Sequence, residues 1–452
     1  MTGTGAPKAD LGVNDAQTIA SPSQTRQVIE LNSVPPVLAP STDFNHGIRE
    51  PQTIKVQSME MGSRVPLGAR FWALIGATFL GFLGIGAVLP GLGPHVRHDL
   101  GGSDQTVGFV IGIFSFVALG GRFISGPLAD RRGRKIALLV GLLSCAASGT
   151  AYLLPFGIAG AYMARTLQGF GEACLYTGAA AWAVEVAGIH RSGEALGYVS
   201  SGIWGGISAG PVIGQWLGSF ERAAVLQMVA ALAAFAMLTR VHEEYKPATH
   251  ARGRRWIPRA LIAPGIAVGF VNVHFPVVTG FLILHLARFG HAGPMAFSAY
   301  ALLILLSRFF LGGLPDRMHP AFTYYGGLAA MAIGLIAIAM GPGPILAVGA
   351  TALLGFGFSF PWSATASTVL RKIPSGERGS AVGVLSAFVD LFVGISSFVA
   401  GAMAHRFGYS AAFALAAVAL IAAAAVGRFV FNAGSETDSS VPAALEDECL
   451  FG

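Results

Sequence analysis

The chain has 452 residues, of which 53% are hydrophobic and 12% charged, and its mean hydropathy is +0.62. A soluble domain carries roughly a quarter charged residues, so water is not the main solvent of this one. The formal charge of +6 and pI near 9.4 would suit nucleic-acid binding, but Lys and Arg fall mostly in short gaps between apolar runs, where they orient helices in a bilayer. A nucleic-acid partner is therefore not expected.

Residues 1–69 are polar and rich in Ser, Thr, Pro and Gln, which reads as a disordered cytoplasmic tail without a cleavable signal. Met59 and Met61 stand just before the first apolar run, so a start at either would shorten that tail, and a mass measurement decides between them. Apolar runs bounded by Gly, Pro or charge then predict helices near 71–94, 104–128, 136–155, 157–186, 195–219 and 223–240. A basic segment, 241–259, reads as a cytoplasmic linker, and six further helices are expected near 260–287, 294–315, 321–341, 343–370, 379–404 and 408–431. Residues 432–452 form a second polar tail. The expected fold is an all-α membrane protein with twelve spans in two six-helix bundles, 70–240 and 260–431, at about 30 residues per span and loop. The 61 glycines are nearly twice the ~7% average share and suit close contact between membrane helices. Cys145, Cys174 and Cys449 have neither metal-ligand spacing nor a disulfide framework.

With the N-terminus inside, the outer loops hold only Arg97, Arg222, Arg288 and Arg406, and the remaining basic loop residues face inward. The positive-inside rule thus places both termini in the cytoplasm, with the cell's inner membrane as the expected location. The two halves also match at a constant shift of 186 residues. RFISGPLADR (Arg122–Arg131) maps onto RFFLGGLPDR (Arg308–Arg317), Gly169–Gly171 onto Gly355–Gly357, Gly197 onto Gly383 and Pro90 onto Pro276. A duplicated helical unit places a binding site between the halves near the bilayer midplane, where two rocking bundles can expose it alternately.

The stretch GPLADRRGRK, Gly126–Lys135, between the second and third spans resembles the signature of the major facilitator superfamily. The resemblance covers nearly all of the membrane region. It implies that Gly126 lets the second span approach the eleventh, and that Asp130, with Arg131 beside it, faces the positive end of the eleventh helix and latches an outward-open state. Arg134 would pair with an acid at the inner end of the fourth span, where Glu185 is available, and Asp316 marks a second, weaker copy. The alternative is a basic loop that only sets topology.

RTLQGFG, from Arg165, resembles the family's fourth-span motif. At about 100° per residue, Arg165, Gln168, Glu172 and Tyr176 form one polar stripe on an apolar helix, expected to face a cavity. A charge at the centre of a span costs about 2.5–3.5 kcal/mol on insertion scales, so these groups should be paired, hydrated or functional. GGISAGPVIG, Gly205–Gly214, resembles the family's antiporter motif through Gly206, Gly210, Pro211 and Gly214, although Gln215 stands where a further Gly is common. Its glycines permit a close helix contact and Pro211 a kink, which would let the span seal against the second half; ordinary small-residue packing is the alternative.

Asp390 is the other intramembrane acid, about 18 Å along its helix from Arg378, and is a second proton-site candidate that could instead pair with Arg308 or cap a broken helix. Asn272 and His274 interrupt the seventh span before Pro276, and Trp362 with Tyr176 offers aromatic surface to a ligand. GFGFSFPWSA and FVDLFVG also resemble the branch of the family that includes bacterial opine-metallophore exporters.

No nucleophile elbow, metal cluster or phosphate loop occurs in the sequence, so neither an enzyme nor a cofactor is expected. The resemblance implies a monomeric secondary transporter with a cavity lined by spans one, four, seven and ten, exporting a small molecule in exchange for protons. Glu172 and Asp390 are the proton candidates, and Arg165, Gln168, Tyr176, Asn272, His274 and Trp362 the substrate candidates. The alternatives are an uptake symporter for an organic anion held by Arg165, and a signalling or lipid-moving membrane protein without solute turnover.

Overall fold

The computed structural model describes residues 67–188, 191–243, 259–290, 292–311, 314–373 and 378–431. The side chains of Ser192, Gly193, Pro315, Asp316 and residues 378–380 lie outside that description, so the expectations for Asp316, for both polar tails beyond residue 66 and residue 431, and for most of the linker are outside the described residues.

The helices are α1 (Ala69–Pro94), α2 (Asp104–Arg132), α3 (Arg134–Leu153), α4 (Gly157–Ala187), α5 (Ser192–Trp216), α6 (Phe220–Thr239), α7 (Ile262–Asn272), α8 (His274–Leu286), α9 (Gly293–Leu311), α10 (Leu314–Arg317), α11 (Pro320–Ala339), α12 (Pro344–Arg371), α13 (Arg378–Phe407) and α14 (Tyr409–Phe431). A π-helical turn, His95–Asp99, extends α1. Among the described residues, ten stretches are long and apolar enough to cross a membrane. The helices α4 and α5 are of similar length but are not among these ten, since polar side chains such as Arg165, Gln168 and Glu172 interrupt the apolar sequence of α4. Large apolar side chains face outward, Phe309 at 80% and Ile345 at 91% exposure, as hydrocarbon surroundings require.

The span expected over 260–287 crosses as one stretch, Arg259–Phe289, loosened at a single turn residue, Val273, whose dihedrals stay helical (φ −56°, ψ −30°) between α7 and α8. Pro276 lacks the N–H that would bond to Asn272, and its ring crowds that carbonyl. Side chains also compete for the local carbonyls: Asn272 Nδ2 donates to Val268 O at 2.8 Å and His274 Nδ1 to Val271 O at 2.7 Å.

The sequence repeat reappears as packing. In the first half α1 packs on α5 and α6, α2 on α4, and α3 on α4 and α6; in the second, α7 packs on α13 and α14, α9 on α12, and α11 on α12 and α14. Individual contacts keep the register. Gly169 lies against the Phe114 carbonyl and Gly355 against that of Tyr300, while Gly171 and Gly357 lie against the carbonyls of Gly141 and Gly327. Between the halves, α2 packs along α13, α5 along α9, and α1 against α8.

The end carrying the α1–α2 and α8–α9 connections is closed. Gly93 touches the Gly280 carbonyl, a Cβ on Gly108 would stand 2.9 Å from Gly401 Cα, and Tyr409 Oη donates to Asp104 Oδ1 at 2.9 Å. Toward the other end, no described residue of another helix lies within 4 Å of where a Cβ on Gly126, Gly197 or Gly383 would stand.

Candidate functional site

Two acids distant in sequence meet on one guanidinium. Arg122 of α2 donates through Nε to Asp390 Oδ2 of α13 at 2.8 Å, and its Nη2 lies 2.8 Å from the same oxygen and 3.5 Å from Glu172 Oε1 of α4. The three side chains are only 11–14% exposed. Tyr176, one turn beyond Glu172, places its ring 4.7 Å below the guanidinium carbon and its hydroxyl 3.2 Å from Ser386 Oγ of α13. Glu172 Oε2 is buried and has no hydrogen-bond partner. The cluster is thus a charged bridge between the halves with one unused carboxylate oxygen.

Asp390 therefore pairs with Arg122 and not with Arg308. Arg122 was legible in the sequence only as an anchor of the repeat, although a lone Arg ten residues inside a spanning helix signals an intramembrane partner.

Arg165 and Gln168, expected at a central cavity, are buried inside the first half at 2% and 0% exposure. Arg165 donates to Val110 O at 3.2 Å, Ile111 O at 3.3 Å and the Gln168 amide oxygen, and stacks over Phe114. Gln168 continues to Gln227, which donates to Cys145 O at 2.9 Å. The stripe read from α4 thus divides: its first turn ties α2, α3 and α6 together, while Glu172 and Tyr176 reach the boundary between halves. Helical spacing fixes the common face, but helices of the same half already cover part of it.

A recess of about 20 Å³ also lies between the halves. It is lined by Leu89, Trp204, Ile207, Ser208, Pro211, Phe275, Thr279, Phe297, Tyr300, Ala301, Ile304 and Phe358, a mostly aromatic and aliphatic wall. Asn272, His274 and Trp362 are not part of it. Asn272 spends its amide on Val268, and the fully buried His274 accepts at Nε2 from Tyr300 Oη at 2.9 Å, which holds the Tyr300 ring against the recess. Trp362 is half-buried.

In the antiporter-like motif, Gly206, Gly210 and Gly214 face α1 of the same half, against the carbonyls of Phe79, Leu83 and Ala87. The span does lie along α9 of the second half, but through Trp204, Ser208 and Pro211, while the glycines lie on another side of α5. Close approach to α1 leaves no room there for any other contact.

At the α2–α3 connection, Arg134 Nη1 donates to Glu185 Oε2 at 2.8 Å. Asp130 and Arg131 are exposed at the end of α2. Glu243, which the sequence reading did not single out, receives the Arg134 and Lys135 amides at 2.7 and 3.2 Å and so caps the positive end of α3. Gly133 makes this possible, with φ at +113° and a virtual Cβ only 2.8 Å from Glu243 Oε2.

Two halves of helices around an intramembrane charge bridge and a central recess are the architecture of a multi-pass membrane transporter. The family model of the Major Facilitator Superfamily matches residues 74–391 and 294–447, and the chain belongs to that family. An uncharacterised MFS-type transporter of Burkholderia mallei (strain SAVP1) is 28% identical over 388 residues, covering 82% of this chain and 94% of that protein. One of Salmonella typhimurium (strain LT2) is 27% identical over 369 residues, covering 77% and 93%. Among solved structures, the nucleoside transporter NupG superposes with a TM-score of 0.65 at 14% identity, covering 80% of this chain and 100% of that one. The human organic anion transporter MFSD10 (TETRAN) gives 0.61 at 15%, covering 80% and 99%. These structures share the fold.

Proposed function

We propose that the chain is a proton-coupled antiporter of the inner membrane, with twelve spans and cytoplasmic termini, that exports a small organic molecule by alternating access. The observation that carries this reading is the sharing of Arg122 between Glu172 and Asp390, one acid from each half. One guanidinium offsets one carboxylate. With both acids ionised the bridge carries a net negative charge, and with one proton bound it is neutral, the state that a low-dielectric interior favours. A proton thereby changes the attraction that holds α2 and α4 to α13. Binding of proton and cargo to different arrangements of the halves gives exchange, and the coupling is reciprocal.

The positive-inside distribution of Lys and Arg turns the closed end outward, so the described arrangement is inward-facing. On this reading Asp130, Arg131 and Asp316 join the Arg134–Glu185 pair, already formed here, in the cytoplasmic latch of the opposite state.

The test begins with metabolites retained by cells with and without the protein, followed by flux of the identified solute from proteoliposomes under an imposed pH gradient. Solute movement that follows the proton gradient in the opposite direction supports antiport. Movement with the protons supports the second reading, an uptake symporter for an organic anion, which the likeness to a protein named as an organic anion transporter favours. Specific binding without flux supports a signalling or lipid-moving role.

A further inference from the structure

Shifting the charge bridge by the 186-residue repeat maps Arg122 onto Arg308, Glu172 onto Phe358, Tyr176 onto Trp362 and, in the reverse sense, Asp390 onto Trp204. The second guanidinium occupies the matching position. Its Cζ lies 3.8 Å from the ring centre of Trp204 and 5.7 Å from that of Phe358. Where the first half of the arrangement supplies two carboxylates, this one supplies two aromatic faces. Cation–π contact attracts the guanidinium but leaves its N–H groups unused.

Arg308 Nε and Nη2 are buried without a hydrogen-bond partner, and no ion pair to Arg308 occurs among the described residues. An arginine does not discard its proton to escape such a position. The central recess adjoins it: Phe297, Tyr300, Ala301 and Ile304 run along one face of α9, Arg308 continues that face one turn on, and Trp204 and Phe358 belong to both. Ser208, 2% exposed in the same wall, also has an unpartnered hydroxyl. The other polar side chains of the wall are satisfied, Thr279 by Phe275 O and Tyr300 by His274. Unused donors thus concentrate around an otherwise apolar recess, the pattern of a site for a ligand with an apolar body and an anionic group.

We infer that this recess, about 20 Å³ with the halves packed as they are here, widens as they move apart and binds an amphipathic organic anion, its carboxylate or similar group on Arg308 and its apolar part among Leu89, Phe275, Phe297 and Ile304. Arg308, and not Arg165, is then the anion-recognising arginine. That the bound anion is cargo rests on the transporter reading above.

The test uses the full chain in detergent and three probes of matched size, 4-phenylbutyrate, 4-phenylbutanol and 4-phenylbutylamine, with affinity read by calorimetry. The expected order places the carboxylate at least tenfold ahead of the alcohol, with the amine weakest. Arg308→Met should remove the preference for the carboxylate while retaining alcohol binding, which also reports that the variant is folded. Phe358→Glu keeps Arg308 but supplies the acid found at the equivalent Glu172, and should likewise displace the carboxylate. Equal affinity for the three probes, no binding of the carboxylate, or an unchanged preference in either variant overturns the site. Flux in proteoliposomes separates the two claims: probe binding without movement refutes transport and leaves the site, whereas movement indifferent to Arg308→Met refutes the site and leaves transport.

Discussion

At the scale of single residues, Arg122 and its two acids form the decisive cluster. Removing one member of a buried ion pair strands the other, at a cost of about 3–5 kcal/mol, so Arg122→Met should lower the thermal unfolding temperature markedly. The triple variant that also carries Glu172→Gln and Asp390→Asn should recover much of that loss, because no carboxylate is then left unpaired. A second residue-scale prediction concerns Gly133, whose φ of +113° is open to glycine almost alone. Gly133→Ala should cost about 1–3 kcal/mol and displace Glu243 from the α3 amides. Transport should slow while KM stays within a few fold, since this junction touches no cargo. The sequence showed Glu172 and Asp390 as intramembrane acids, because a carboxylate in an apolar run is conspicuous. It did not show that they share Arg122, because 268 residues separate Arg122 from Asp390 and no local period links them. Glu243 was hidden for a similar reason: it lies in a basic, polar stretch where one acid looks ordinary.

At the scale of elements, helix positions were legible from apolar runs, and the repeat implied that the two halves pack alike, since both depend on composition and register. The loosened turn at Val273 was not, because Pro90, the repeat partner of Pro276, sits inside α1 without one. The difference lies in Asn272 and His274, whose side chains take nearby carbonyls. The glycine face of α5 likewise announced a close contact without saying which helix makes it. Opposed glycines now give a paired prediction. Gly93→Val puts carbon into the Gly280 carbonyl and should hold the α1–α8 end open, whereas Gly126→Val meets open space here and should disfavour only the state in which α2 closes on α13. Spin-label distances across the two ends should shift in opposite directions for the two variants, with transport reduced at least tenfold in each, roughly 1.4 kcal/mol of bias or more. Distances that do not change would remove these glycines from the closing surfaces.

At the scale of the whole molecule, duplication followed by divergence gives two equivalent arginines unequal tasks. Arg122 is bound by acids of both halves and, on the proposed reading, responds to a proton; Arg308 is held by rings and, on the inferred one, receives an anion. An inside-negative membrane potential adds about 2.3 kcal/mol per charge per 100 mV, which favours outward movement of an anion as well as inward movement of a proton. Both gradients would then drive the same exchange. The measurement that bears most directly on this is proton uptake by proteoliposomes during counterflow of the solute identified from cells. It compares the parent protein with the variant carrying Glu172→Gln and Asp390→Asn. If the bridge carries the proton, solute-driven proton movement is lost in the variant while solute still equilibrates down its own gradient; proton movement undiminished by neutralising both acids would contradict that role.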